Sequence, residues 1–114
     1  MNIATTSRIY LVCGITDMRK SFNGLAGIVE GLCEKGTLSG DVYLFCNRNK
    51  TRVKVIYWDG SGLWVCAKRL ERGRFSWMDT DKDKSVSISY EELAMLLGGI
   101  DPADTYQKKW FRTK

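Results

Sequence analysis

Histidine is absent from all 114 residues of the chain. Its absence removes the commonest general base and the commonest neutral metal ligand, and with them Ser-His and Cys-His nucleophile pairs and mixed Cys/His zinc sites. Proline occurs once, at Pro102, so no proline-rich linker divides the chain. Cysteine is sparse as well. Cys13, Cys33, Cys46 and Cys66 stand 20, 13 and 20 residues apart with no C-x-x-C pair, so reduced, buried thiols are expected rather than a metal site or a disulfide framework. Neither G-x-S-x-G nor the phosphate-binding G-x-x-x-x-G-K occurs. No apolar run reaches the ~18 residues of a membrane helix, and MNIATTSRIYLVCGITDMRK has no basic segment leading into an apolar stretch of signal-peptide length. A cytoplasmic location without a membrane partner is the expectation.

What the chain does have is a concentrated basic and aromatic stretch. Between Arg48 and Arg74 stand Arg48, Lys50, Arg52, Lys54, Lys68, Arg69, Arg72 and Arg74 against Asp59 and Glu71, eight cations to two acids. The whole chain carries +5, so this stretch at +6 holds essentially all of the excess charge. Trp58 and Trp64 interleave with these cations and offer flat surfaces for bases or for arginine stacking. The pattern fits nucleic acid. It also fits an acidic protein partner, or a sheet face kept soluble and protected at its edges by charge.

A length of 114 residues suits one domain that buries roughly two-thirds of its extended-chain surface. Arg8 to Cys13 (RIYLVC) is apolar and β-branched enough for a first strand, closed by Gly14. A helix follows, capped by Thr16 or Asp17, because Phe22, Leu25, Ile28, Val29, Leu32 and Cys33 recur at three- and four-residue spacing; Gly36 ends it. From Asp41 the period becomes two. Val42, Leu44 and Cys46 make one strand, and Thr51 to Trp58 a second, with Val53, Val55 and Tyr57 on one face and Arg52, Lys54, Ile56 and Trp58 on the other. After the turn Asp59-Gly60-Ser61-Gly62, Leu63, Val65 and Ala67 are expected inward, with Trp64, Cys66 and Lys68 outward. Glu71-Arg72-Gly73 turns the chain again into Arg74 to Trp77, and the stretch from Asn47 to Trp77 reads as consecutive short strands of an antiparallel meander. Val86 and Ile88 suggest one more short strand, and Ser89 with Glu92 forms a capping box that opens a helix ending at Gly98-Gly99.

These elements predict an α+β domain over residues 1–101 in the order β-α-β-β-β-(β)-α, followed by a basic C-terminal tail over 102–114. Its single, mostly antiparallel sheet packs an apolar face on the first helix and leaves a basic, aromatic face open. Catalytic signals are weak. Asp79, Asp81 and Asp83 occupy the first three ligand positions of a calcium loop, but the sixth position is Lys84 rather than glycine and the twelfth is Tyr90 rather than glutamate. A solvated acidic loop is the expectation there. Asp17, Asp41 and Asp59 are explained by turn and cap roles, so neither a catalytic constellation, a metal nor a cofactor is assigned.

Several blocks, taken in order, resemble a known family. They are Thr16 to Leu25 (TDMRKSFNGL), Asn47-Arg48, Trp58 to Leu63 (WDGSGL), Lys68 to Phe75 (KRLERGRF) with Trp77, and Leu96 to Asp101 (LLGGID). Together they are similar to the small accessory protein, TnpB-type or second open reading frame product, of the IS-sixty-six family of bacterial insertion sequences. That protein is unrelated to the much larger RNA-guided nuclease of the same label. The resemblance implies a non-enzymatic role in DNA transposition beside a separate large transposase, and it brings no catalytic residue with it. Two partners follow. Transposon-end DNA would be met through Arg48, Lys50, Arg52, Lys54, Lys68, Arg69, Arg72 and Arg74, with Trp58 and Trp64 as flat contacts. In the alternative, the same face docks the transposase or another element-encoded small protein without touching DNA.

Overall fold

The alternating apolar residues of the central stretch pair as expected, but at the centre of the resulting sheet both faces are buried. A computed structural model describes residues 7–78 and 83–99. Five strands, β1 (Ile9–Val12), β2 (Val42–Cys46), β3 (Arg52–Trp58), β4 (Leu63–Arg69) and β5 (Ser85–Ile88), form one sheet in the order β4-β3-β2-β1-β5. Helix α1 (Phe22–Leu32) links β1 to β2, a short 3-10 turn spans Gly36–Ser39, and helix α2 (Tyr90–Leu97) follows β5. The β2-β3-β4 meander is antiparallel, β1 and β5 are antiparallel, and only β1 and β2 run parallel, as a connection through a helix permits. The fold is therefore α+β with a mixed, mostly antiparallel sheet.

Alternation along the strands divides the core in two. Ile9, Leu11, Val42, Leu44, Cys46, Val53, Val55 and Tyr57 pack with Leu93 and Leu96 of α2 and with Phe75 and Trp77. Val12, Tyr43, Phe45 and Ile56 pack with Leu25 and Val29 of α1. Burying Leu25 and Val29 contributes about 1.5–3 kcal/mol each before entropy is counted. Tyr10 and Tyr43 stack with ring centroids 5.2 Å apart. Burial, followed by the neighbouring Cys33 thiol, pushes the Tyr43 phenol up to about 12.

Four expectations change. First, α1 covers the face bearing Lys54 and Ile56, while Val53, Val55 and Tyr57 lie under α2; the expected open face does not exist as such. Second, α1 begins at Phe22 with Ser21 at its N-cap and no side-chain cap, so neither Thr16 nor Asp17 caps it. Third, Arg74 to Trp77 is not a strand. It is pinned across the sheet by Phe75 N–H to the Lys50 carbonyl at 2.7 Å, and by the Trp77 indole N–H to the Val12 carbonyl at 2.9 Å. Fourth, Phe22, which the helical spacing placed on the apolar stripe, is exposed at the first turn of α1.

Other expectations hold. The capping box at α2 is complete: the Glu92 amide donates to Ser89 Oγ at 3.0 Å and the Ser89 amide donates to Glu92 Oε1 at 2.9 Å. The cysteines depart from expectation in part: Cys46 is a buried thiol, but Cys13, Cys33 and Cys66 are only half-buried. Most of the acidic loop at 79–84 and the whole tail at 102–114 lie outside the described residues, and so does the end of the domain assigned at residue 101.

Candidate nucleic-acid interface

Two turns meet at one end of the β3-β4 hairpin, and most of the candidate cations lie there. Asn47 builds the first turn. Its Oδ1 accepts from the Thr51 amide at 2.9 Å and the Arg52 amide at 3.1 Å, while its Nδ2 donates to Thr51 Oγ1 at 3.2 Å. Lys50 closes this turn with φ 61°, a left-handed conformation uncommon outside glycine and asparagine. The second turn follows β4 and is held to the first by the Leu70 amide on the Thr51 carbonyl at 2.8 Å and by the Phe75–Lys50 bond. The turn that carries Arg48, Lys50 and Arg52 is thereby joined to the one that carries Arg69, Arg72 and Arg74.

Arg52 and Arg69 are directly opposite each other in the β3-β4 register, and both are exposed. Like charges at opposed positions destabilise a sheet. Arg69 donates from Nε to Glu71 Oε2 at 3.1 Å, an exposed pair that offsets little of that repulsion. Beside these two arginines opens a groove of roughly 570 Å³ whose lining includes Met18, Arg52, Lys54, Ala67, Arg69 and Glu71. Lys54 Nζ donates to the Lys20 carbonyl at 2.8 Å, tying the segment before α1 to the groove wall. Met18 was absent from the sequence-based candidates; its only signal was its place in the TDMRKSFNGL block.

Two candidates lie elsewhere, and a third, Lys68, lines the groove without turning its ammonium toward it. Lys68 points to the opposite face, where its Nζ donates to the Leu97 carbonyl at 2.6 Å, a favourable position for a cation at the end of α2. Trp58 and Trp64 occupy the far end of the hairpin, about 20 Å from Arg52 along a seven-residue strand. They also lie on opposite faces, because Trp64 pairs in register with Tyr57 while Trp58 pairs with Leu63. Trp64 stacks on Tyr57 with centroids 6.5 Å apart, and its indole N–H donates to Asp59 Oδ2 at 2.7 Å. One continuous basic-aromatic surface is thus replaced by a cationic end and a separate aromatic end.

The isolated aspartates have local duties. Asp59 accepts from the Ser61 and Gly62 amides, each at 2.9 Å. The Ser61 amide, then the Trp64 indole and the Gly62 amide, lower the Asp59 carboxyl to about 2. Asp17 takes the Arg19 guanidinium at 2.7 Å, and that hydrogen bond, with the Arg19 amide, lowers it to about 2. Arg19, so paired, precedes α1 and does not sit in its first turn. Asp41 Oδ1 accepts from the Arg8 amide at 3.1 Å. Among the described residues, no group of three or more Cys, Asp or Glu side chains is arranged to hold a metal ion.

Residues 7–107 match the family described as IS66 Orf2 like protein. The chain belongs to that family. Two relatives from Sinorhizobium fredii (strain NBRC 101917 / NGR234) are similar to it over most of their length. Uncharacterized protein y4hO is 37% identical over 103 residues, covering 88% of this chain and 89% of the relative. Uncharacterized protein y4jC is 34% identical over 94 residues, covering 82% and 80%. No solved structure matches the chain. The family connects the chain to the transposition of insertion sequences as an accessory product. No helix among the described residues is long and apolar enough to cross a membrane.

Proposed function

We propose that this protein is a non-enzymatic accessory factor that contacts the DNA of its insertion sequence through the cationic end of the β3-β4 hairpin. Arg48, Lys50, Arg52, Lys54, Arg69, Arg72 and Arg74 are the contacting residues. The observation that carries the reading is the opposed Arg52–Arg69 pair beside the groove, a local repulsion that a bound phosphate would relieve. Arginines at this density suit phosphates, because each guanidinium presents a planar fork to the anion. Trp58 and Trp64 are too far from the cluster to share one contact with it.

Gel-shift titrations on element-end and random duplexes at several salt concentrations test the proposal. Four phosphate contacts give a log–log slope of about −3.6 and an affinity loss of roughly 150-fold between 50 and 200 mM salt. Changing Arg52 and Arg69 to Gln together should flatten the slope by about 1.8. No binding by the isolated protein would refute direct contact. If a transposase then co-purified with it, and Arg52→Glu with Lys54→Glu abolished that association, the same surface would be a protein-docking site.

A further inference from the structure

The two edges of the sheet are unequal. β5 is four residues long, whereas β4 presents seven residues, LWVCAKR, of which the first five are apolar. A long apolar edge is a ready template for another strand. The lysine that would guard it, Lys68, is drawn back onto the Leu97 carbonyl of its own α2. The hydrogen-bond phase of the edge follows from its inner pairing. Asp59 donates to the Gly62 carbonyl and Leu70 to the Thr51 carbonyl, so in the β3-β4 register residues 62, 64, 66, 68 and 70 bond inward. Leu63, Val65, Ala67 and Arg69 therefore direct their amides and carbonyls away from β3. Among the described residues no backbone group pairs with them.

We propose that this edge is a dimer interface, in which β4 pairs antiparallel with β4 of a second copy about a two-fold axis at Cys66 and makes one ten-stranded sheet. The register that overlaps all seven residues is also the one that opposes the outward-facing backbone groups, Val65 to Ala67 and Leu63 to Arg69. It sets the apolar end of one strand against the cationic end of the other, so Trp64 of one copy lies opposite Lys68 of the other and no two cations face each other. The residue on the axis, Cys66, falls at a non-hydrogen-bonded position. Opposed Cα atoms there approach to about 4.5 Å, within disulfide reach. This inference shares Ala67 and Arg69 with the groove but stands apart from the DNA reading in what it uses, the outward backbone groups of β4 rather than the charged side chains of the cationic cluster.

Three measurements on the full chain test it. Sedimentation equilibrium should show a concentration-dependent dimer. In amide exchange, Val65, Ala67 and Arg69 should be protected in concentrated protein and fast in dilute protein, while Trp64, Cys66 and Lys68 stay protected in both. Mild oxidation with diamide should link two copies in the wild type and in Cys33→Ser, but not in Cys66→Ser. Ala67→Pro removes an amide that points away from β3 and should give a monomer; should that variant fail to fold, the exchange pattern of the wild type decides. A monomer at all concentrations, a dimer that persists in folded Ala67→Pro, or outward amides protected regardless of concentration would each overturn the proposal.

Discussion

Replacing Asn47 by alanine should loosen the turn that presents the cationic cluster. The substitution removes three hydrogen bonds: two from backbone amides to Oδ1, and one from Nδ2 to Thr51 Oγ1. A half-buried amide that loses its acceptor costs about 1 kcal/mol, and the more exposed Arg52 amide, which water can reach, adds a few tenths. The sum is about 1–1.5 kcal/mol. For a domain of this size each kcal/mol lowers the melting temperature by roughly 4 °C, so a fall of about 4–6 °C is expected. Asn47→Asp supplies the control, because its carboxylate keeps both bonds from the amides and loses only the one to Thr51; it should cost under about 0.5 kcal/mol. Urea unfolding of the three proteins, with the slope m held constant, gives the comparison directly. If Asn47→Ala unfolds at the wild-type midpoint, or Asn47→Asp is as damaged as alanine, the side chain does not build the turn and the placement of Arg48 and Arg52 loses its cause.

Two further outcomes follow from the core and the hairpin. Trp77→Phe keeps an aromatic ring but deletes the indole N–H that the buried Val12 carbonyl accepts; with the smaller ring it should cost about 2–3 kcal/mol in urea unfolding, and a loss below ~0.5 would show the bond to be dispensable. The Asp59 carboxyl is lowered from 3.8 to about 2, so its support of the Ser61–Trp64 turn is fully present above pH 3.8 and is lost as pH falls through about 2. The Trp64 indole proton resonance should titrate with a midpoint near 2, and a midpoint at 3.8 or above would contradict the hydrogen bond.

Local signals carried far. The period-two runs named β2, β3 and β4 correctly, Ser89 and Glu92 named the cap of α2, and Asp59-Gly60-Ser61-Gly62 named the hairpin turn, because each depends on backbone preferences within a few residues. The start of α1 was misplaced for a reason of the same kind. Thr16 and Asp17 are good capping residues, yet Asp17 spends its carboxylate on Arg19 and the helix waits until Phe22. The second covered face also left a trace: all five residues of β2, VYLFC, are buried, the mark of a strand enclosed on both sides.

Most elements, the concentration of positive charge between Arg48 and Arg74 and, through ordered blocks from Thr16 to Asp101, the insertion-sequence family are legible along the chain. Which of those charges share a surface follows from strand register and long-range packing. Alternation assigns residues of one strand to two faces, but the match of faces between strands depends on register, and register depends on turns and distant packing. The β3-β4 pairing put Lys68 with Val53 and Trp64 with Tyr57, on the α2 side, and left Arg52, Lys54 and Arg69 together on the α1 side. A helix more than thirty residues beyond β3 then covered the face that local pattern had set aside for the first helix.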